Sequence, residues 1–298
     1  MPRTGYSLEA RFVSQDYYNI LHGLPVVKSA TNIEYGIYPQ TVVNDSSLEE
    51  KLNLISTAES NGWYLFDNEY YAKITATPEK NTYVFHDDSP IVNGQSYWFK
   101  CEPISWNVLS NSGDDYYLLA DIQLDAHCYY NSLSNRTIDA QTIYPNNYKY
   151  SDIRSWLNDD FYTQAFSLGN SYVQTTLVNN DQSTTDSDTN PYYCANTNDR
   201  VFLPSYQDYL KEEYGFDSSA TMTATRACGS TDYAKARGVW LSANSGEENN
   251  SFYWTRTPYS QDSNYAWDVG PSGQMNFKVR VNGTNRGIKP AITIKISN

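Results

Sequence analysis

The stretch that decides the fold of this chain begins Phe252-Tyr253-Trp254-Thr255-Arg256-Thr257-Pro258 and closes Gly287-Ile288-Lys289-Pro290-Ala291-Ile292-Thr293-Ile294. Both ends are rich in aromatic and β-branched residues, which fit the half-buried surface of a sheet. We therefore expect a strand that enters a core near Trp254 and another that leaves it near Ile292. Trp254, Arg256 and Trp267 are assigned to the core and its support.

The residues between these two segments have the composition of a recognition surface. Tyrosine offers rigid, amphipathic contact area, and asparagine offers adaptable hydrogen bonding. The predicted ligand-binding residues are Tyr259, Asn264, Tyr265, Asp268, Asn276, Lys278, Arg280 and Asn282. The alternative is that about half of them only shape turns, which favour Asn and Asp for local reasons.

The composition favours a binding protein. The 298 residues include 28 Tyr and 7 Trp but only 3 Met, and tyrosine lets a polar chain build a core while keeping a polar tip at the surface. This pattern is typical of β-rich binding proteins that are secreted, displayed on cells or carried by phage. The amino-terminal residues contain no apolar segment of the length that a signal peptide needs.

The charge of the chain argues against two classes of partner. With 21 Lys and Arg against 34 Asp and Glu, the formal net charge is -13, so the average field repels nucleic acid and anionic lipid. A run of about 18 apolar residues, which would predict membrane insertion, does not occur in the sequence. We expect neither a nucleic-acid partner nor insertion into a membrane.

Neither a metal nor another cofactor is expected. Cys101, Cys128, Cys194 and Cys228 contain no C-x-x-C pair, so we interpret them as scattered buried thiols, with three disulfide connectivities open if all four pair. The polar segment 179–198 is expected to be a mobile loop. Convergence of Asp181, Asp186 and Asp188 on Ca²⁺ is the alternative, although the segment lacks the spacing of a defined calcium loop.

The order of patterns predicts an α+β fold with short mixed or antiparallel strands, two main helices and long loops. Hairpins are expected about Asp67-Asn68 and across Asn111-Ser112-Gly113-Asp114. The main helices are expected at residues 45–57 and 151–161, the second capped by Ser151. Residues 1–30 form a predicted extension before the domain of residues 31–298. The extension contains a short helix for docking or oligomerisation, or one that packs on its own domain.

Six sequence blocks, in this order along the chain, resemble those of a known domain family. They include Tyr35-Gly36-x-Tyr38-Pro39-Gln40, Glu102-Pro103-Ile104-x-Trp106, Ile153-Arg154-x-Trp156-Leu157-Asn158, Val201-Phe202-Leu203-x-Ser205, Tyr253-Trp254-x-Arg256-x-Pro258 and Gly287-Ile288-Lys289-Pro290-Ala291. Together they resemble a large, uncharacterised bacterial domain family. That family is similar to the branch of the C-type-lectin-like fold that includes the formylglycine-generating enzymes and the variable proteins of diversity-generating retroelements.

The resemblance implies a C-type-lectin-like fold with a display surface in its carboxyl-terminal segment, where the variable proteins contact ligand. It does not imply the copper chemistry of the enzyme branch, which needs two carboxyl-terminal cysteines five apart, because Cys228 is the last cysteine here. Calcium-dependent lectins use Glu-Pro-Asn, but Glu102-Pro103-Ile104 lacks the third ligand.

We therefore expect a non-enzymatic module of adhesin or receptor-binding type that recognises a protein or glycan on another cell or particle. An assembly component of a surface or phage-like particle, docked or oligomerised through residues 1–30, is one alternative. A hydrolase that acts on polysaccharide with two carboxylates is another.

Overall fold

The computed structural model describes residues 14–275 and 277–296. Mixed α+β architecture was expected, and the chain has it: most of its regular structure is sheet, and its helices are few and short. Within the described ranges, no helix combines the length and the apolar character needed to cross a membrane.

The main sheet has eight strands around the long strand β5 (Ser96–Ser112). One edge of β5 pairs with β2 (Asn32–Val42). Its other edge pairs first with β4 (Glu69–Thr75) and then with β6 (Asp115–Ala120), and every pair is antiparallel. The remaining strands are β1 (Val26–Ser29) beside β2, β3 (Tyr64–Phe66) beside β4, β17 (Ala291–Lys295) beside β6, and β12 (Val201–Phe202) beside β17.

Both predicted hairpins of this sheet are confirmed. β3 and β4 turn about Asp67 and Asn68, whose φ angles of 52° and 62° are left-handed, a conformation that Asp and Asn tolerate better than most residues. β5 and β6 turn at Gly113, with Ser112 opposite Asp115.

A second sheet of five strands contains the carboxyl-terminal stretch. Its order is β15 (Phe277–Arg280), β14 (Tyr265–Val269), β13 (Tyr253–Pro258), β16 (Gly287–Ile288) and β7 (Asp125–Ala126), with only β13 and β16 parallel. Trp254, Ala266 and Val281 lie in the same core as Trp106 of the main sheet. The stretch therefore enters and leaves the core as expected, through β13 and β17. Two small hairpins, β8 (Arg136–Ile138) with β9 (Gln141–Ile143) and β10 (Thr176–Val178) with β11 (Thr197–Asp199), complete the strands.

The helices are α1 (Gln15–Leu21), α2 (Ser46–Leu52), α3 (Asp152–Trp156), α4 (Tyr162–Ala165) and α5 (Asp232–Ala236). The predicted helix over 45–57 is capped by Asp45 but ends at Leu52. The one over 151–161 is capped by Ser151 and continues through a π-helical turn, Leu157–Phe161, into α4. Short 3₁₀ turns occupy Tyr148–Tyr150, Gln182–Thr184, Asp208–Leu210 and Glu212–Tyr214.

The described part of the predicted extension packs on the rest of the chain. β1 is an edge strand of the main sheet, and Ile20 of α1 is buried in the main core. This placement matches the alternative in which the first helix packs on its own domain. Residues 1–13 lie outside the described residues.

Candidate ligand-binding face

The outer face of the second sheet carries the predicted display residues. Because Tyr265 pairs with Arg280 and Trp267 with Lys278, all four side chains project from one side of the sheet. Near Tyr253 and Val269 this side is buried under a hydrophobic cluster that includes Tyr209 and Phe216. Towards Tyr265 it is open, since Lys278 and Arg280 are exposed.

Aromatic rings pack in a row along the open part. Tyr206 lies 5.1 Å from Trp267 between ring centroids, Trp267 lies 5.3 Å from Tyr259, and Tyr259 lies 6.5 Å from Tyr265. We call this surface the aromatic face and define it by Tyr206, Tyr259, Tyr265, Trp267, Lys278 and Arg280.

Two cations border the aromatic face. The Lys278 ammonium lies 4.9 Å from the centroid of Tyr259, within the range of a cation–π contact. Arg280 Nε donates to the Tyr265 hydroxyl at 3.3 Å. Exposed cations are notable in a chain of net charge -13, and both can still contact a ligand because neither is buried.

One donor of the face has no acceptor in the described part of the chain. The indole Nε1 of Trp267 is buried without a hydrogen-bond partner, although Trp267 itself is 9% exposed. A buried N–H without an acceptor costs free energy.

The loop that carries Tyr259 is held from below by Asn146, which is fully buried. Its amide Nδ2 donates to the carbonyl oxygens of Tyr265 at 3.0 Å and Asp262 at 3.3 Å, with that of Tyr259 at 3.5 Å. Its backbone N–H donates to Ser263 O at 3.0 Å. The position of the loop is therefore fixed by a side chain from a distant segment.

A second tether reaches the same loop from residues 186–190. Asn190 Nδ2 donates to Pro258 O at 2.9 Å and to Asp186 Oδ1 at 3.0 Å, and Ser260 Oγ donates to Asp186 Oδ2 at 2.9 Å. Asp186 thus binds protein groups. Among the residues that the structure describes, no group of three or more His, Cys, Asp or Glu could hold a metal ion.

Strand β13 is anchored by a buried ion pair beneath the face. Arg256 is 6% exposed and donates to Asp208 Oδ2 and to Leu203 O, each at 2.8 Å. Burial raises the pKa of Asp208, but Arg256 and the Ser205 hydrogen bonds outweigh it and lower the pKa to about 2. The assignment of Trp254, Arg256 and Trp267 to the core and its support is confirmed by their burial, and the Trp267 ring also packs against Tyr259 of the aromatic face.

A cleft of about 340 Å³ opens beside these tethers. Its aromatic lining is Tyr144, Tyr150, Tyr192 and Tyr193, joined by the polar side chains Gln141, Asn147 and Lys149. Tyr144 and Tyr192 meet edge to face at 5.0 Å. We call this the tyrosine cleft. Asn147 lines the cleft, and the adjacent Asn146 holds the loop of residues 259–265. The same chain segment therefore contacts both the cleft and the loop.

The structure brings together four of the eight predicted residues, Tyr259, Tyr265, Lys278 and Arg280. Asn282 is exposed in the turn that follows Arg280. Asn264 lies at the foot of the loop, half-buried, with its Oδ1 buried and unpartnered among described residues. Asn276 lies outside the described residues.

Asp268 requires a correction, because it is fully buried and points away from the aromatic face. It lies opposite Trp254 on the inner side of the sheet, and Arg286 Nε donates to its Oδ2 at 2.6 Å. Burial raises the pKa of Asp268 to about 6, and Arg286 only partly opposes this shift. Its carboxylate is an internal group.

Residues 113–296 match the model of a family described as a domain of unknown function, DUF6273. The match covers more than half of the chain, and the protein belongs to this family. It includes the whole aromatic face and the tyrosine cleft. No curated protein and no solved structure matches the chain.

Proposed function

We propose that this protein is a non-enzymatic binding module that recognises a protein or a glycan through the aromatic face. The observation that carries the proposal is the row of rings from Tyr206 to Tyr265, bordered by exposed Lys278 and Arg280. Tyrosine, tryptophan and arginine are the residues that most often dominate binding energy.

The rigid support of the loop of residues 259–265 favours a binding role over the alternative that these residues only shape turns. The loop of residues 259–265 is tied by Asn146 and Asn190, so its rings are already ordered before a ligand arrives. Binding to an ordered surface loses less conformational entropy than binding to a flexible one.

The tyrosine cleft supports a ligand that extends beyond the sheet. Its volume of about 340 Å³ falls within the ~300–1,000 Å³ that is usual for ligand sites. Tyrosine rings beside amide groups can contact both the apolar and the hydroxyl groups of a sugar. The proposed ligand therefore spans the aromatic face and reaches the cleft.

As part of the same proposal, we assign the chain to the C-type-lectin-like fold and compare it with variable proteins of diversity-generating retroelements. The support is that the segment from β13 to β16 carries one of the six resembling blocks, the start of another and most of the exposed face. The proposed role is that of an adhesin or receptor-binding module.

A binding screen on glycan and cell-surface-protein arrays tests the proposal. The test variant combines Tyr259→Ala, Tyr265→Ala and Lys278→Ala, and a control variant combines Tyr18→Ala and Lys51→Ala, which are exposed on other elements. We expect a ligand that the wild type and the control bind and the test variant loses at an unchanged melting temperature. Absence of any ligand, or one that the test variant retains, contradicts the proposal.

A further inference from the structure

A separate cleft of about 270 Å³ lies where the end of β2, the segment around His86 and the start of α5 meet. Its lining includes Gln40, Thr41, His86, Ser230, Lys235 and Asn249. It shares no lining residue with the aromatic face or the tyrosine cleft. Any function here is therefore independent of the proposed one.

Asp232 organises the polar groups of this cleft. It is 4% exposed, and its Oδ1 accepts from the backbone N–H of His86 at 2.8 Å and from Lys235 Nζ at 3.2 Å. Its Oδ2 accepts from His86 Nδ1 at 2.5 Å and from the Val42 N–H at 3.3 Å. The carboxylate is thus fully hydrogen-bonded by protein donors.

Lys235 is less well satisfied than its partner. Its side chain is 3% exposed, and in the described part of the chain the Asp232 carboxylate is its one hydrogen-bond acceptor. An ammonium group has three donors, and a buried charge is costly when its donors lack acceptors. Because Lys235 lines the cleft, an oxygen atom bound there can accept from it.

His86 completes the site. Its side chain is 55% exposed, and while Nδ1 bonds Asp232, Nε2 has no hydrogen-bond partner among the residues that the structure describes. The neutral ring offers a lone pair at Nε2, whereas the protonated ring donates from both nitrogens. The charged groups near the ring are Asp232 and Lys235 of α5 and Asp87 of its own segment, with Glu102 behind Thr41.

The charges of the cluster indicate which ligand fits. Lys235 and Asp232 cancel, so an anion that enters beside a neutral His86 would leave one uncompensated negative charge. A proton from solvent that adds to His86 Nε2 removes this excess and supplies a second donor to the ligand. No other bond forms or breaks.

We propose that this cleft binds a small oxyanion, a carboxylate or a phosphate group, with Lys235 as its anchor and with uptake of a proton by His86. The cleft is smaller than usual drug-sized sites, which suits a metabolite-sized ligand. The second ligand contact comes from the His86 ring, and Ser230 and Asn249 also line the cleft.

Nuclear magnetic resonance of the histidine rings tests the proposal with sodium acetate and, separately, inorganic phosphate, at ionic strength held constant with chloride. His22 and His127 are internal controls because the chain has 3 His. We expect saturable shifts of the His86 ring towards the imidazolium form while the other two rings stay unchanged. The probe that saturates at lower concentration identifies the preferred group. Equal shifts of all three rings, or no saturation with either probe, would overturn the proposal.

Lys235→Met should lower the affinity for the preferred probe by about tenfold or more, because a hydrogen bond to a charged group is lost. The matched control is Lys211→Met, which breaks a Lys–Asp pair of the same spacing and the same 3.2 Å distance whose lysine side chain is 40% exposed. Unchanged affinity in Lys235→Met contradicts the assignment.

His86→Gln provides a second variant at an exposed position, in case Lys235→Met fails to fold. Wild-type affinity for acetate, which stays ionised over the neutral range, should fall as the pH rises, because binding is proposed to take up a proton. The variant should bind more weakly and without this dependence. A pH dependence that survives in His86→Gln overturns the role of the histidine.

Discussion

Asn146→Ala perturbs the aromatic face without removing any of its side chains. Asn146 is fully buried, and its amide Nδ2 makes two hydrogen bonds of ordinary length, to Tyr265 O at 3.0 Å and Asp262 O at 3.3 Å. The distance from Nδ2 to Tyr259 O is 3.5 Å, which is at the upper limit for a hydrogen bond, so this contact is not counted as one.

The expected loss follows from these two bonds. Each neutral hydrogen bond contributes a net ~1 kcal/mol, and both carbonyl oxygens keep a backbone donor, since Tyr259 N–H donates to Tyr265 O and Tyr265 N–H donates to Asp262 O. Asn146→Ala should therefore lower the free energy of unfolding by about 2 kcal/mol. The loop of residues 259–265 should also lose order in the folded state.

Two measurements check this expectation. Urea denaturation gives the change in the free energy of unfolding, provided that the slope with denaturant is unchanged. Hydrogen exchange of the Tyr259 amide, which donates to Tyr265 O at 3.0 Å, reports the order of the loop. Ligand binding found by the array screen should weaken together with this protection.

Asn180→Ala is the matched control. Asn180 is also buried, donates from Nδ2 to Ala195 O and Thr197 Oγ1, and has an unpartnered Oδ1 like that of Asn146. It should cost similar stability but leave the Tyr259 amide protected. If Asn146→Ala loses less than about 1 kcal/mol, or if both variants deprotect Tyr259 equally, the role assigned to Asn146 is refuted.

Three further outcomes follow from buried groups. Arg256→Met should lower the free energy of unfolding by about 3 kcal/mol in urea titrations, because it removes the buried cation beside the Asp208 carboxylate and leaves only the more exposed Lys211; a loss below about 1 kcal/mol would contradict this. For Asp268, a folded pKa of about 6 against an ordinary 3.8 means stability that is present below about pH 4 and lost as the pH rises through about 6. This loss is at most about 3 kcal/mol. The difference in the free energy of unfolding between wild type and Asp268→Asn should therefore change between about pH 4 and pH 6, and a difference that stays constant would refute the raised pKa. Burial raises the pKa of all four cysteine thiols, so the native protein should react slowly with a thiol reagent at neutral pH and fully only when unfolded; four fast thiols in the native state would contradict that burial.

Local patterns predicted those parts of the fold that depend on neighbouring residues. The turn at Asp67 and Asn68 and the cap at Ser151 are set by the chemistry of one or two side chains. The helix predicted over residues 45–57 ends at Leu52. Its amphipathic pattern continues past that point, so periodicity alone did not predict the early end.

Only part of the candidate face was predicted, because local patterns identify residues that lie close together in the sequence. Tyr265, Lys278 and Arg280 were found because they are concentrated in one segment. Asp268 was wrongly grouped with them because composition alone ignores the alternation of a strand, which places Asp268 on the side opposite Tyr265. Tyr206 and Asn146 come from remote segments, and nothing in their local sequence indicates that they meet this sheet.

The alternation of β14 and β15 has a consequence for how this protein can change over generations. Positions 265, 278 and 280 face outward, whereas Ala266 and Asp268 face the interior. Substitutions at the outward positions change the exposed surface and leave interior packing untouched, since neighbours along a strand point to opposite sides. Under the proposed function, a new binding specificity could therefore arise in this sheet without loss of the fold that presents it.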